Sequence, residues 1–247
     1  MPFPYLAWIL SLSLLIAAPI QALRFYVDSE TGDNRRSVQS AQNPSTPFKT
    51  IAHALRIAHL VTDGRPHVIQ IPPGTYSPSS GELFPLEVNQ PDIFLETTGQ
   101  TIFDGENKTN FFKITGPTND FLIKGIDFLN GSAEKGGVAF CQTCSLRVVD
   151  NRFFNTQASQ NGHLIYSENG RVKFFNNLVR DSVSGNDTRA VLELLNATTD
   201  TLVRDEIRNN TFYRNPSPNI WASGPRTYIS STLFIDPQQA TIRAAHA

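Results

Sequence analysis

The sequence predicts an all-β protein, a right-handed parallel β-helix that forms a single-stranded solenoid with an α-helix capping its N-terminal end. The first observation behind this prediction is a repeat in the second half of the chain. Its segments superpose without internal gaps: FLIKGIDFLNG from Phe121, LRVVDNRFFNT from Leu146, VKFFNNLVRDS from Val172, EIRNNTFYRN from Glu206 and YISSTLFID from Tyr228. Matched on Phe128, Phe153, Val179, Phe212 and Leu233, they are separated by 25, 26, 33 and 21 residues. Such a period is typical of solenoids, whose coils bury their apolar faces by stacking on one another.

The second observation is that each coil has room for three strands. An apolar column lies at or near the fifth position before the anchors and predicts the interior: Ile123, Val148, Phe174, Ile207 and Ile229. A further strand-like run lies between the matched segments, as in GGVAF, GHLIY, RAVLEL and NIWA. Three short parallel strands in a coil of about 25 residues, with coils about 4.8 Å apart, are typical of a parallel β-helix.

The third observation is a column of asparagines two residues before the anchors. Asn151, Asn177 and Asn210 share this position, so their amides are expected to lie above one another at a turn. Each amide can then bond to the backbone and to the next amide. We interpret the column as a structural ladder and not as a catalytic set.

The N-terminal residues predict a signal peptide, residues 1–22. Leu6 to Ile20 is almost entirely apolar, and the small residues from Ala17 to Ala22 follow a cleavage pattern. The apolar run is shorter than the roughly 20 residues of a membrane span, and no membrane span is expected elsewhere. Residues 23–247 are expected to form one β-helix domain, secreted, periplasmic or at the cell surface.

One amphipathic helix is predicted at about residues 47–62, before coils that run from about 66 to 236. Ser45-Thr46-Pro47-Phe48 supplies a capping hydroxyl and a proline at the first helical position, a pattern that favours a helix start. Its apolar side chains recur at helical spacing: Ile51, Ala54, Leu55 and Ala58.

The charge composition limits the kinds of partner that are expected. The 21 basic and 22 acidic side chains give no electrostatic preference for nucleic acid, so neutral or mildly charged partners are expected.

The spacing of the two cysteines limits the chemistry that they can perform. Cys141 and Cys144 lie between two strand-like runs, which does not suit a thioredoxin-like redox motif at the start of a helix. No second cysteine pair is present to complete a zinc site. A structural disulfide suits an exported protein, with two free thiols as the alternative.

Residues from Phe25 to Val88 carry a family resemblance. The stretches YVDSETGDN, PSTPFKTIAHALRIA and VIQIPPGTYSPSSGELFPLEV follow in this order. Together they resemble the N-terminal signature of a family of exported right-handed parallel β-helix proteins of unknown function, within the wider pectate-lyase-like group. The resemblance implies that the helix plugs the open N-terminal end of the solenoid. It implies no particular activity.

The candidate catalytic residues come from charged columns of the repeat. Lyases of this fold use carboxylates that bind calcium and an Arg or Lys base, and hydrolases use two carboxylates about 5 to 9.5 Å apart. The alignment stacks Asp127 over Arg152, and it stacks Arg147, Lys173 and Glu206. The candidates are therefore Asp127, Asp150, Arg152 and Glu206, with His163 as a base. The alternative is a row of surface ion pairs and a histidine in a turn.

Two functions remain open from the sequence. One is a non-enzymatic module that binds a carbohydrate or a cell-envelope polymer along its stacked coils, with Tyr213 and Trp221 as sugar-binding rings. The other is a lyase or hydrolase of an acidic polysaccharide, for which calcium is the implied cofactor; no other metal or cofactor is expected. The C-terminal coil ends in a short tail, QQATIRAAHA. If that tail leaves the coil exposed, self-association through it is expected.

Overall fold

The computed structural model describes residues 21–116, 121–182, 190–196, 204–216, 218–224, 227–237 and 241–245. The predicted signal peptide lies almost wholly outside these ranges. In the described residues one α-helix is present, α1 (Ile51–Leu60), besides a short 3-10 helix at Ser40–Gln42. Among them no helix has both the length and the apolar character needed to cross a membrane.

The strands form a parallel β-solenoid. In the first coils they are β1 (Leu23–Tyr26), β2 (His67–Ile71), β3 (Gly74–Tyr76), β4 (Leu86–Val88), β5 (Ile93–Asp104), β6 (Phe112–Thr115), β7 (Phe121–Leu129), β8 (Ser132–Lys135), β9 (Ala139–Gln142), β10 (Ser145–Val149) and β11 (Arg152–Phe154). They continue as β12 (Gln157–Asn161), β13 (Ile165–Glu168), β14 (Arg171–Phe175), β15 (Leu178–Arg180), β16 (Leu192–Leu195), β17 (Asp205–Arg208), β18 (Thr211–Tyr213), β19 (Ile220–Ser223), β20 (Thr227–Ser230), β21 (Leu233–Ile235) and β22 (Ile242–Ala245).

Three faces run along the solenoid, as the three strands per coil predict. The long-strand face contains β1, β2, the first parts of β5 and β7, and then β10, β14, β17 and β20. The short-strand face contains β3, the second parts of β5 and β7, and then β11, β15, β18 and β21. The third face contains β4, β6, β9, β13, β16, β19 and β22. A separate pair, β8 and β12, lies in the loops between the short-strand and third faces.

The strand register confirms four of the five anchors and corrects the last one. Phe153 lies opposite Phe128 and Val179, and Phe212 lies opposite Phe234 instead of Leu233. Because side chains alternate between the two sides of a strand, this shift of one residue turns Leu233 outward. Leu233 is 56% exposed, whereas Phe234 stacks on Phe212 with ring centroids 5.3 Å apart.

Aromatic rings fill much of the interior. Phe153 stacks on Phe128 at 5.1 Å and on Phe174 at 5.8 Å, and all three rings are fully buried. The predicted apolar column is confirmed, because Val148 pairs with Ile123 and Phe174, and the column continues through Ile207 to Ile229. The repeat therefore predicts the core correctly.

The asparagine ladder is also confirmed. The backbone N–H of Asn151 donates to Oδ1 of Asn177 at 2.9 Å, and that of Asn177 donates to Oδ1 of Asn210 at 2.9 Å. Each Nδ2 donates to a carbonyl one coil away, as Asn210 does to Phe174 at 2.8 Å. All three asparagines are buried. The ladder thus satisfies backbone groups at a corner where strand pairing is interrupted.

Helix α1 packs against β2 and β4 and begins later than the sequence predicts. Phe48 forms a parallel bridge with Val27, so Pro47 and Phe48 belong to an extended segment. Thr50 is the actual N-cap, and its side chain accepts from the N–H of His53. The buried helix residues are the predicted ones: Ile51, Ala54, Leu55 and Ala58.

The C-terminal tail continues the solenoid. Residues Ile242–Ala245 form β22, which pairs with β19 on the third face. Residues 238–240 and 246–247 lie outside the described part of the chain. Four side chains of this last coil are nevertheless well exposed: Tyr228, Leu233, Ile235 and Ile242.

Candidate functional site

The outer side of the long-strand face concentrates positive charge. In β10 and β14 buried residues alternate with half-buried ones, so the half-buried side chains point outward. The outward positions of β10, β14 and β17, together with Arg204 directly before β17, carry five cations and one carboxylate, Glu206. We call this surface the basic face, and its cations are Arg147, Arg171, Lys173, Arg204 and Arg208.

Strand register places these cations on neighbouring coils. Arg147 pairs with Lys173, and Arg171 pairs with Ser145. Arg208 pairs with Phe175 on one side and with Ser230 on the other. Neighbouring strands are about 4.8 Å apart, so positive side chains recur along the solenoid axis. The charges that are scattered in the sequence therefore form one surface.

Glu206 is the carboxylate inside the basic face. It is 8% exposed and lies between two guanidinium groups, with Arg204 Nε at 3.1 Å and Arg208 Nη2 at 2.9 Å. Both its oxygens are thus engaged by cations. This arrangement fits a carboxylate that positions arginines better than one that takes up a proton from a substrate.

Aromatic rings lie among these charges. Phe94 and Tyr228 lie in the outward column that contains Arg147 and Glu206, and Phe175 lies in the next column. The Arg147 guanidinium is 5.9 Å from the centroid of Phe94, and that of Arg208 is 5.9 Å from Tyr228. These distances are within the range of a cation–π contact. The face thus offers both charge and ring surface.

Asp127 and Arg152, two of the predicted catalytic residues, form an ion pair on the short-strand face. They are register partners, and Arg152 Nε donates to Asp127 Oδ1 at 2.6 Å. A second bond joins Arg152 Nη2 to Asp127 Oδ2. This hydrogen bonding raises the pKa of Arg152, so the guanidinium stays charged. The prediction that the two residues stack is confirmed, and each side chain is the other's hydrogen-bond partner.

Asp150 lies apart from both groups, at the corner that follows β10. Its backbone is left-handed, with a φ of 58°. Its Oδ1 accepts from Asn176 Nδ2 at 2.6 Å, and its Oδ2 lies 3.8 Å from Lys124 Nζ. The predicted acids thus occupy three different places: the short-strand face, a corner and the basic face. Each has a separate basic or amide partner.

His163 is fully buried beneath the loop that carries β12. Its Nδ1 accepts from the N–H of Ala158 at 3.1 Å, five residues earlier. The ring therefore holds a turn of the loop between the short-strand and third faces. This geometry fits the structural alternative for His163.

Tyr213 and Trp221, the predicted sugar-binding rings, lie on different faces. Tyr213 is on the short-strand face, where the guanidinium of Arg214 lies 4.8 Å from its ring centroid. Trp221 is on the third face, in register with Glu193. Both are half-buried. They cannot contact one sugar unit together.

A charged and aromatic cluster on the third face was not predicted from the sequence. Phe140 and Tyr166 stack at 6.0 Å, and Lys135 Nζ is 4.9 Å from the Tyr166 centroid. Tyr166 donates to Glu168 Oε1 at 2.8 Å. Burial raises the pKa of Tyr166, and the hydrogen bond from Tyr166 lowers the pKa of Glu168. At 5% exposure, Tyr166 offers little surface to a ligand.

Glu193 is a buried carboxylate that sequence reasoning missed. It is 1% exposed and accepts from Asn161 Nδ2 at 2.9 Å and from the Gly162 N–H at 3.0 Å. These bonds hold the loop after β12 against the third face. The available signal was a single acid inside the apolar run AVLELL.

The two cysteines form a disulfide in a tight turn. Cys141 and Cys144 are joined with their Cα atoms 5.7 Å apart, and both side chains are buried. The bond links the end of β9 to the start of β10 across one corner. In the described part of the chain, no three His, Cys, Asp or Glu side chains are grouped as metal ligands.

The N-terminal cap has its own buried carboxylate. Glu82 accepts from the N–H groups of Ile51 at 2.8 Å and Ala52 at 3.0 Å, at the first turn of α1. Burial raises its pKa.

The segment that contains α1, Glu82 and the strands β2 to β4 matches a known sequence family. Residues 32–95 match the family of proteins of unknown function DUF1565. That family is associated with parallel β-helix proteins, which agrees with the coils of this chain.

No curated protein and no solved structure matches the chain. The DUF1565 match covers α1 and the first coil and ends within β5, and it overlaps the Phe25 to Val88 resemblance. The basic face begins at Arg147, beyond the DUF1565 segment. Any function of that face must therefore be argued from this chain's own residues.

A groove in the DUF1565 segment lies beside the C-terminal end of α1. Its volume is about 460 Å³, and Val61, Arg65, His67, Gln90 and Asp92 are among its lining residues. His67 is 5% exposed, and burial lowers its pKa. Nε2 of His67 lies 3.8 Å from Oδ1 of Asp63, which also pairs with Arg65.

Proposed function

We propose that this protein is a β-helix module that binds a carbohydrate or another cell-envelope polymer along the outer side of its long-strand face. The observation that carries this proposal is the basic face, where cations recur on neighbouring coils and aromatic rings lie among them or at their edge. Arg147 and Lys173 are register partners, and Phe175 lies beside Arg208. A solenoid side of this kind is an extended surface of the type that repeat proteins use for binding.

The chemistry of the face suits sugars. Aromatic rings offer apolar surface to the C–H groups of a sugar, and guanidinium groups donate several hydrogen bonds in a fixed plane. Cations lie on the three successive coils of β10, β14 and β17, so successive units of a polymer can contact them, and the ring of Phe175 lies among these charges. A single small ligand would use only a part of this surface.

The alternative is a lyase or hydrolase of an acidic polysaccharide, with calcium in the case of a lyase. It needs carboxylates that face a common site with a base nearby. Asp127, Asp150 and Glu206 instead have separate partners, as described above. These ion pairs favour binding over turnover as the proposed function.

Export is part of the same proposal. The apolar N-terminal residues predict a signal peptide, and disulfides persist in oxidising compartments. A secreted, periplasmic or surface location would place the basic face in contact with envelope polymers. Detection of the full-length gene product outside the cytosol, with its N-terminus near residue 23, would support this point.

The binding proposal is tested by affinity gel electrophoresis and calorimetry of the full chain with a panel of soluble glycans. The variant Phe175→Ala removes a ring beside the basic face, and Phe154→Ala is the matched control on the short-strand face. We expect the first variant to weaken binding and the second to leave it unchanged. Equal affinity of both variants for a bound glycan would exclude this face, and no binding to any glycan would refute the function.

The same panel separates binding from turnover. New reducing ends report hydrolysis, and unsaturated ends report lyase activity, each measured with and without added calcium. We expect neither product. If products form and disappear in Asp127→Asn or Glu206→Gln, the enzymatic alternative replaces the binding module.

A further inference from the structure

The basic face carries more positive charge than its own carboxylates neutralise. Glu206 is the only outward carboxylate on β10, β14 and β17, and it is shared by Arg204 and Arg208. Lys173 makes no ion pair with any described residue. Arg171 donates to the neutral hydroxyl of Ser145, at 3.1 Å from Nη2. Positive charge therefore remains available to a ligand.

This excess contrasts with the whole chain, whose formal net charge is −1. From that balance we expected neutral or mildly charged partners. The fold changes the expectation, because it gathers cations from residues 147 to 208 on one side. At the screening distance of about 8 Å in physiological salt, the local charge of a surface affects ligand attraction in addition to the net charge of the chain.

We propose that the basic face binds an anionic polysaccharide, a glycan with carboxylate or sulfate groups, which lies along the solenoid axis across β10, β14 and β17. The inference rests on the proposed function and specifies its ligand class. Coils about 4.8 Å apart present cations at a regular spacing, and a charged polymer can contact several of them at once. The half-buried ring of Phe175 supplies apolar surface between the charges.

A polysaccharide fits better than a nucleic acid because nucleic-acid-binding domains are usually basic as a whole, whereas this chain has 22 acidic against 21 basic side chains. Binding of nucleic acid to the basic face is the competing outcome, and the experiment distinguishes it with an oligonucleotide.

The test measures the dissociation constants of the full chain for sodium alginate, heparin, dextran and a single-stranded oligonucleotide at several salt concentrations. Alginate and heparin separate carboxylate from sulfate, and dextran is the neutral glycan. The double variant Arg171→Gln/Lys173→Gln removes two charges from the basic face. The control Lys108→Gln/Lys113→Gln removes two exposed lysines elsewhere, with side chains 70% and 51% exposed. Thermal melting of each variant confirms that it folds.

We expect alginate or heparin to bind more tightly than dextran, and binding to weaken as salt rises. The double variant should raise the dissociation constant about tenfold. For the double variant, the slope of the logarithm of the dissociation constant against the logarithm of the salt concentration should be smaller by about 1 for each cation that no longer contacts an anionic group of the glycan. The control should behave as the wild type.

One result would overturn the inference and leave the proposed function standing: tight binding of dextran that neither salt nor the double variant changes. Binding of alginate or heparin that the two double variants weaken equally would exclude the basic face and overturn both proposals. Tighter binding of the oligonucleotide than of either anionic glycan would replace the polysaccharide by nucleic acid. Failure of every polymer to bind would refute the inference and the proposed function together.

Discussion

Oδ1 of Asn177 accepts two hydrogen bonds from Asn151, from the backbone N–H at 2.9 Å and from Nδ2 at 3.2 Å. Nδ2 of Asn177 donates in turn to the carbonyl of Val148 at 3.0 Å. One amide thus satisfies groups on the neighbouring coil that strand pairing leaves unbonded. Because buried polar groups without partners are costly, this contact links adjacent coils energetically as well as geometrically.

Asn177→Ala should strongly destabilise the protein. It leaves the buried N–H of Asn151 and the carbonyl of Val148 without these partners, at about 1 to 3 kcal/mol for each unsatisfied group. The measurement is the free energy of unfolding in urea. Asn89→Ala, at an exposed position, is the control and should change it by less than about 0.5 kcal/mol. Equal effects of the two variants would contradict a structural ladder.

Asp205→Asn should flatten the pH dependence of stability. Burial raises the pKa of Asp205 from 3.8 to about 7, although its Oδ1 accepts from the Val172 N–H. A raised carboxyl pKa means that the folded state favours the protonated form. The stability from Asp205 is therefore fully present below pH 3.8 and is lost as the pH rises through about 7.

Urea unfolding of the wild type and Asp205→Asn at a series of pH values measures this effect. Relative to Asp205→Asn, the wild type should lose stability between about pH 4 and pH 7, at up to about 1.4 kcal/mol per pH unit. Asp205→Asn should be the more stable protein at pH 8. Glu82, whose pKa burial also raises, accounts for a remaining slope of the same sign. His53, His59 and His67, whose pKa values burial lowers, contribute slope of the opposite sign in both proteins alike. An unchanged slope in Asp205→Asn would show that Asp205 does not titrate in this range.

Removal of the disulfide should lower stability by about 2 kcal/mol, because Cys141 and Cys144 close a short loop. The double variant Cys141→Ala/Cys144→Ala tests this by thermal or urea unfolding. Thiol titration of the denatured wild type without reductant should find no free thiol. Detection of two titratable thiols would show that the disulfide is not formed in the purified protein.

Self-association through the C-terminal coil is a further prediction. β20, β21 and β22 are the last strands of their faces, and Tyr228 and Leu233 are 58% and 56% exposed. Strand edges of this kind pair readily with another chain. Helix α1 covers the N-terminal end of the solenoid, so each chain can pair through its C-terminal coil and not through its first coil. Association should therefore stop at a dimer. Sedimentation velocity should show dimers at high concentration for the wild type and monomers for Leu233→Lys. A wild type that remains monomeric would contradict the prediction.

The sequence predicts the repeating parts of the fold well and its irregular parts less well. The interior column and the ladder recur in each coil, so comparison of the segments identifies them. The anchor at Leu233 is wrong by one residue, because the last coil has neighbours on one side only and its outward side chains include apolar ones. The start of α1 differs because Phe48 pairs with Val27, a contact between distant residues.

The candidate site was predictable only in part. Stacking of Asp127 on Arg152 follows from the alignment, and the structure adds that each is the other's hydrogen-bond partner. Glu193 was missed because it binds Asn161 and Gly162 of another coil through its side chain, a contact that the spacing of the repeat does not reveal. Tyr213 lies in a matched segment and Trp221 in the run between segments, and the structure places these two strands on different faces.

The sequence by itself determined the architecture, because a repeat of about 25 residues with apolar side chains at alternate positions and asparagines at one turn predicts stacked parallel coils. The alignment also stacks Arg147 on Lys173. The tertiary structure alone decided that Arg171, Arg204 and Arg208 lie on the same surface and that Glu206 lies between two of these arginines. Pairing between coils brings them together, so a chain of net charge −1 has one strongly basic side.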